Sequence, residues 1–268
     1  MQVGSIHIHP IKATAPVGLT HSKVDLAGLR DDRRWAVVDP FGSRLNATTH
    51  DLLLTVTATP HTDGALTLTR SGSAPLHVRV PHDGEEVAVN VSRLPTMIDA
   101  GDEPAAWLGA VLGESVRLVW QDDPGRRPIS NLHGGRGAEP MNLADAGPLL
   151  VATSASLAQL DAWIAEDHEA EPMVMSRFRP NIVIDGSATP FVEDHWRHIH
   201  IGEVAFRFAE HCDRCVVTTI DPVTLAHGKE PIRALARHRR WDGKTWFGIR
   251  VVPLETGTVS VGDPVIAS

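Results

Sequence analysis

Cysteine is almost missing from this 268-residue chain, since Cys212 and Cys215 are the whole supply. Two thiols build neither a disulfide framework nor a four-thiolate zinc site, and a reducing compartment is their simplest setting. Lysine is nearly as scarce, with Lys12, Lys23, Lys229 and Lys244 set against twenty-one arginines. Most cations are therefore planar, permanently charged forks suited to gripping phosphate through two hydrogen bonds. No apolar run approaches a membrane span, and the opening MQVGSIHIHP lacks the basic start and apolar core of a secretion signal. A soluble, cytoplasmic protein without a membrane partner is expected. Positive charge is also in deficit: 25 Lys+Arg stand against 33 Asp+Glu, a formal net charge of −8. That balance works against non-specific binding to nucleic acid.

Present in ordinary amounts are the makings of a core, with 42% hydrophobic and 22% charged residues. The first half reads as short strands: Ile6 and Ile8 alternating with His7 and His9, then WAVVD (35–39), LLLTVTA (52–58), ALTLT (65–69), LHVRV (76–80) and EVAVNV (86–91). Such spacing suggests a barrel or sandwich. EPAAWLGAVLG (103–113) has helical spacing ended by Gly113, and VRLVW (116–120) follows as a strand. The loop-rich stretch 121–148 then separates two halves, with a boundary expected near residue 118.

In the second half, LLVAT (149–153) reads as a buried strand. SASLAQLDAWIAED (154–167) reads as a helix capped by Thr153 or Ser154. RPNIVIDG (179–186), IHIG (199–202), EVAFRF (203–208) and CVVTTIDP (215–222) read as strands and turns. A helix is expected in EPIRALARHRR (230–240), with strands in FGIRVV (247–252) and TVSVGDPV (258–265).

The sharpest local feature is His211-Cys212-Asp213-Arg214-Cys215. Arginine beside cysteine favours the thiolate, which binds soft metals and attacks disulfides. A mixed zinc site with His195, His198, His200 or His211, a redox pair, and two inert buried cysteines all remain open. A redox pair belongs at a strand-to-helix turn, whereas strand residues are expected after Cys215. Lys12, Arg33, Arg34, Arg177 and Arg179 are individually unspecific. Thr153, Ser154 and Ser156 sit at a helix start, where an anion or an ordinary cap fits equally well.

Taken together and in order, PIK (10–12), LRDDRRWAVVD (29–39), SASLAQL (154–160), RFRPNIVI (177–184), CDRCVVTTIDP (212–222), EPIRAL (230–235) and VGDPV (261–265) resemble the MOSC-domain proteins that carry an N-terminal β-barrel extension. The resemblance implies a mainly β protein: a β-barrel MOSC domain with a few helices over 119–268, an N-terminal β-barrel-like domain over 1–118, and a cofactor cleft between them. The implied cofactor is the molybdenum cofactor, Mo-molybdopterin, a pterin bearing an enedithiolate and a phosphate. Carried over by motif, Cys215 is the metal ligand and catalytic residue, and Cys212 is not. Lys12, Arg34, Thr153, Ser154, Ser156, Arg179, Asn181 and Arg214 are implied for binding the cofactor.

The implied activity is reduction of small N-hydroxylated compounds. Because some relatives append a ferredoxin-like domain that is not in this sequence, electrons are expected from a separate ferredoxin, flavodoxin or cytochrome with its reductase. An acidic surface is expected to guide a donor bearing a basic patch. Pyridoxal phosphate and nucleic acid are not expected as ligands. The alternative is a cofactor carrier or sulfur-transfer protein using both thiols. Two positions depart from the pattern: Ala13 stands where many relatives place serine, and 42–54 lacks a Gln-Arg pair common in relatives.

Overall fold

The computed structural model describes residues 1–167 and 171–268. Its main element is a nine-stranded sheet. From one edge the strands run Val265–Ala267, His198–Ile201, Val204–Asp213, Lys244–Pro253, Leu149–Thr153, Ile182–Asp185, Gln2–Ile8 and Val17–Leu19, with Arg240–Trp241 hairpinned onto Lys244–Pro253. Leu149–Thr153 and Ile182–Asp185 pair in parallel, which requires a crossover, and helix α2 (Ser154–Asp167) lies in the connecting segment. Alternation sends Ile6 and Ile8 inward, and a register shift between Val3 and Ser5 puts Val3 on the same side, where all three meet Ile182, Ile184, Ile199, Phe206 and Val251 in one core.

Residues 35–120 build a second body. Trp35–Val38, Arg117–Trp120, Leu94–Asp99 and Glu86–Val91 form one sheet, and Thr57–Pro60, Leu66–Thr69 and Leu76–Val78 form another. Helix α1 (Asp102–Leu112) closes it, burying Leu108 against Leu53 and Leu66. As the terminal glycine suggests, Gly113 takes the left-handed conformation (φ 78°) and its N–H bonds the Gly109 carbonyl.

The sheets do not respect residue 118. That residue sits inside the strand Arg117–Trp120, which pairs with Trp35–Val38, while Gln2–Ile8 belongs to the sheet of the second half. His21–Asp25 likewise pairs with Gly257–Ser260. The chain start is thus woven into the C-terminal part, which brings Lys12 and Arg33 beside residues beyond 140.

Two stretches read as strand are single 3-10 turns. Asp51–Thr55 buries consecutive Leu53 and Leu54, which an alternating strand would send to opposite faces, and the strand starts only at Thr57. Val216–Thr219 turns because Thr218 and Thr219 hydroxyls bond the carbonyls of Cys215 and Val216, three residues back, at 3.0 and 2.8 Å. The helix expected over 230–240 is shorter, α3 (Ile232–His238). No helix among the described residues is long and apolar enough to cross a membrane.

Candidate functional site

A cavity of about 440 Å³ opens between the two bodies. Its wall draws on widely separated stretches of chain, among them Lys12–Ala13, Arg33, residues 44–48, residues 144–147, Phe178 to Asn181, residues 212–217, and Arg250. Six cationic side chains line it, Lys12, Arg33, Arg44, Arg179, Arg214 and Arg250, against the carboxylates of Asp145 and Asp213.

Both cysteines belong to this wall, Cys215 as an exposed residue and Cys212 as a buried one, 3% exposed. The strand Val204–Asp213 ends at the pair, and Arg214 N–H bonds the Thr245 carbonyl at 2.8 Å, fixing where the chain leaves the sheet. Cys215 then has extended backbone as the residue before the 3-10 turn. Arg214 crosses the face of Phe178, donating through Nη1 to Cys212 Sγ at 2.8 Å and through Nη2 to the Phe178 carbonyl at 2.8 Å.

The RFRPN stretch delivers a second group. Met175–Phe178 is a 3-10 turn that buries Phe178 against Phe247, and Arg179 follows in the left-handed region (φ 56°). The backbone reversal sends Arg179 into the interior, where Nη1 donates to the Thr14 carbonyl at 2.6 Å. Burial lowers its pKa to about 9, and the Arg33 charge pushes the same way. Asn181 joins the parts: its Oδ1 accepts from Leu150 N–H at 3.1 Å and Arg33 Nη1 at 3.2 Å, and Nδ2 donates to the His7 carbonyl at 3.2 Å. Lys12 donates to the Leu143 carbonyl at 2.6 Å and to Asp145 Oδ1 at 2.5 Å, and burial pulls its pKa down to about 8.

The structure therefore gathers Cys215, Lys12, Arg179, Asn181 and Arg214 around one cavity. It does not bring Arg34 there. Asp31 and Arg33 both have positive φ (62° and 49°), so the turn before Trp35 inverts the facing expected of an extended chain. Arg33 faces inward, donating to Asp32 Oδ2 at 2.5 Å and the Arg179 carbonyl at 3.1 Å, while Arg34 lies over Trp120 and donates to the Gln121 and Asp122 carbonyls.

Thr153, Ser154 and Ser156 also lie away from the cavity. Ser156 Oγ donates to Glu193 Oε1 at 2.7 Å, Thr153 Oγ1 donates to Glu193 Oε2 at 3.1 Å, and Ser156 N–H caps onto Thr153 Oγ1 at 3.1 Å. Ser154 Oγ bonds the Ile184 carbonyl at 3.4 Å. Ordinary capping around a buried carboxyl accounts for Thr153 and Ser156, and a bond to the neighbouring strand for Ser154. The mixed zinc site does not form either, since among the described residues no three His, Cys, Asp or Glu side chains converge.

Arg44, Arg250 and Asp145 escape sequence reading because isolated charges in loops or strands give no periodic signal. Chemically, the cavity offers one soft sulfur donor and an array of hydrogen-bond donors to an anion. Among the described residues, Arg179 Nη2 and Arg214 Nε are buried without a partner. Unpaired buried donors are costly, and on a cavity wall a bound acceptor relieves them. A ligand with a thiophilic metal at one end and an anion at the other fits this donor set.

Family models match the chain in two parts, the MOSC N-terminal beta barrel domain over residues 1–115 and the MOSC domain over residues 138–266. Mitochondrial amidoxime-reducing component 1 of Homo sapiens is 30% identical over 98% of this chain and 82% of that protein. Its counterpart in Mus musculus is 31% identical, covering 98% and 81%. Molybdenum cofactor sulfurase of Danio rerio is 29% identical over 91% of this chain and 31% of that larger protein.

Proposed function

The chain belongs to the MOSC family with its N-terminal β-barrel domain, and from that premise we propose that it is a molybdenum-cofactor oxidoreductase reducing small N-hydroxylated compounds such as amidoximes. The observation that carries this reading is the exposed Cys215 thiol on a cavity whose buried Arg179 guanidinium has an unpartnered Nη2. When bound, the molybdenum cofactor supplies two-electron chemistry with an oxygen atom.

This chain's residues bind and orient. Cys215 contributes the thiolate ligand, and the 3-10 turn after it holds the sulfur toward the cavity. Arg179, Arg33 and Lys12 line the same cavity and would hold the anionic part of the cofactor, each charge-assisted hydrogen bond contributing about 1.5–3 kcal/mol. Asn181 fixes Arg33 through its Oδ1. Reducing equivalents come from a separate electron-donor protein of ferredoxin, flavodoxin or cytochrome type. A sulfur relay needs two accessible thiols, and the burial of Cys212 disfavours it.

The test is protein from a molybdenum-replete host, assayed for molybdenum, pterin fluorescence and benzamidoxime reduction with reduced viologen as donor. The expected result is one molybdenum per chain and turnover, both lost in Cys215→Ser. Full molybdenum loading without reduction of any N-hydroxylated compound would overturn the reductase reading.

A further inference from the structure

The chain carries a formal net charge of −8, yet the hairpin beside Cys215 has the opposite sign. Arg240–Trp241 folds back onto Lys244–Pro253, and the exposed charges of residues 237–246 are Arg237, Arg240 and Lys244 against Asp242. The Arg240 side chain makes no ion pair among the described residues. Two tryptophans meet across the hairpin. Their rings stack at 5.5 Å, Trp246 Nε1 donates to the Trp241 carbonyl at 3.0 Å, and Arg239 and Lys244 lie over Trp241 and Trp246 at 5.0 and 5.5 Å. Trp241 is still 36% exposed. A large ring already held in place and rimmed by cations loses little freedom when a partner covers it, which is what an interface anchor requires.

The hairpin is also tied to the cavity. Arg214 N–H bonds the Thr245 carbonyl at 2.8 Å, Thr245 Oγ1 donates to the Arg214 carbonyl at 3.1 Å, and Lys244 Nζ reaches Asp213 of the cavity wall at 3.7 Å. Trp241 thus stands two strand spacings, about 10 Å, from the backbone that leads into Cys215.

We propose that this hairpin is the docking surface of the electron-donor protein, and that the donor meets it with an acidic face around an apolar centre that covers Trp241. Calling the partner an electron donor rests on the proposed function, whereas the sign of its face rests on the hairpin alone. The net charge of the whole chain favours a donor with a basic patch, but the patch bordering the cavity selects the opposite sign, and local complementarity decides which docked orientation persists. Electron-transfer encounters use small interfaces, so one hairpin and its rim are enough. A long polyanion such as duplex DNA meets the negative field of the rest of the chain, which a compact acidic protein touching only the hairpin avoids.

Full-chain protein from a molybdenum-replete host is titrated calorimetrically with two acidic carriers, a [2Fe–2S] ferredoxin and a flavodoxin, at low and at high salt. At least one is expected to bind, and more weakly in high salt. Arg240→Glu and Trp241→Ala should each weaken that binding about tenfold, and Trp241→Phe should stay near wild type. Turnover driven by reduced viologen should be unchanged in Arg240→Glu, while turnover driven by the carrier falls with its binding. Neither carrier bound, or binding equal in wild type, Arg240→Glu and Trp241→Ala, overturns the docking surface and leaves a viologen-driven reductase standing. Duplex DNA bound through Arg240 in place of the carriers, or a dimer of this chain dispersed by Trp241→Ala, also overturns it. Carrier binding that needs Arg240 and Trp241 in a protein that reduces no N-hydroxylated compound with viologen sinks the reductase reading and keeps the acidic partner.

Discussion

Arg214 Nη1 donates to Cys212 Sγ at 2.8 Å, so the arginine between the two cysteines serves the buried sulfur while the next residue, Cys215, faces the cavity. One CxRC motif thereby holds a buried thiol and an exposed one. Cys212→Ser keeps an acceptor for the guanidinium and should retain molybdenum. Cys212→Ala strands a buried donor and should cost about 1–3 kcal/mol in urea unfolding. Cys215→Ser, at an exposed position, should unfold within about 0.5 kcal/mol of wild type yet lose the metal. Equal loss of molybdenum in both serine variants would contradict this division.

Arg33 and Arg34 make a second adjacent pair with divided roles. Arg33→Gln should weaken cofactor retention about 10- to 100-fold, since it removes a charge-assisted donor from the cavity wall. Arg34→Gln should leave molybdenum content at wild-type level, because that side chain is absent from the cavity wall, bonds the carbonyls of Gln121 and Asp122 and lies over Trp120. Metal analysis after gel filtration of both variants decides the matter.

How much of this was legible in the sequence follows from where each signal is stored. Alternation carried by Ile6 and Ile8, the glycine stop at 113 and the apolar run 149–153 are local, and the strands and helices they imply are present. Of the residues that the motifs implied for cofactor binding, Lys12, Arg179, Asn181, Arg214 and Cys215 line the cavity. The choice of Arg33 over Arg34 was not legible, because it depends on positive φ at residues 31 and 33, neither of them glycine. Nor was the fate of Thr153 and Ser156. Their hydroxyls look equally fit for an anion until the fold places Glu193 against them, thirty-seven residues beyond Ser156.

The Asp32 carboxyl predicts acid behaviour. Burial pushes its pKa up, but the Arg33 guanidinium and His9 outweigh that and hold it at about 2, below the ordinary 3.8. Between those values the unfolded chain binds more protons than the folded one, so stability from this group is complete above about pH 4 and drains as pH falls toward 2. Asp32→Asn should be less stable at pH 6, by about 3–5 kcal/mol for a broken buried pair, and its stability should fall less steeply below pH 4. Denaturation curves from pH 6 to 2.5 should show the two proteins converging. Parallel curves would remove Asp32 from this role.

Glu193 carries the opposite sign. Burial raises its pKa, against hydrogen bonds from Ser156 and Thr153 that favour the charged form. The folded chain therefore holds this proton more tightly than the unfolded chain does. As pH rises from the ordinary glutamate value through the raised one, stability is lost. Glu193→Gln keeps an acceptor for Ser156 and removes the charge, so its stability relative to wild type should improve as pH rises through the range between the ordinary glutamate value and the raised one. Molybdenum content should not change, since the carboxyl lies with Thr153 and Ser156 away from the cavity. A melting-temperature series on both proteins across that range checks the sign. A difference independent of pH would show that this carboxyl is no harder to ionise in the fold than in the open chain.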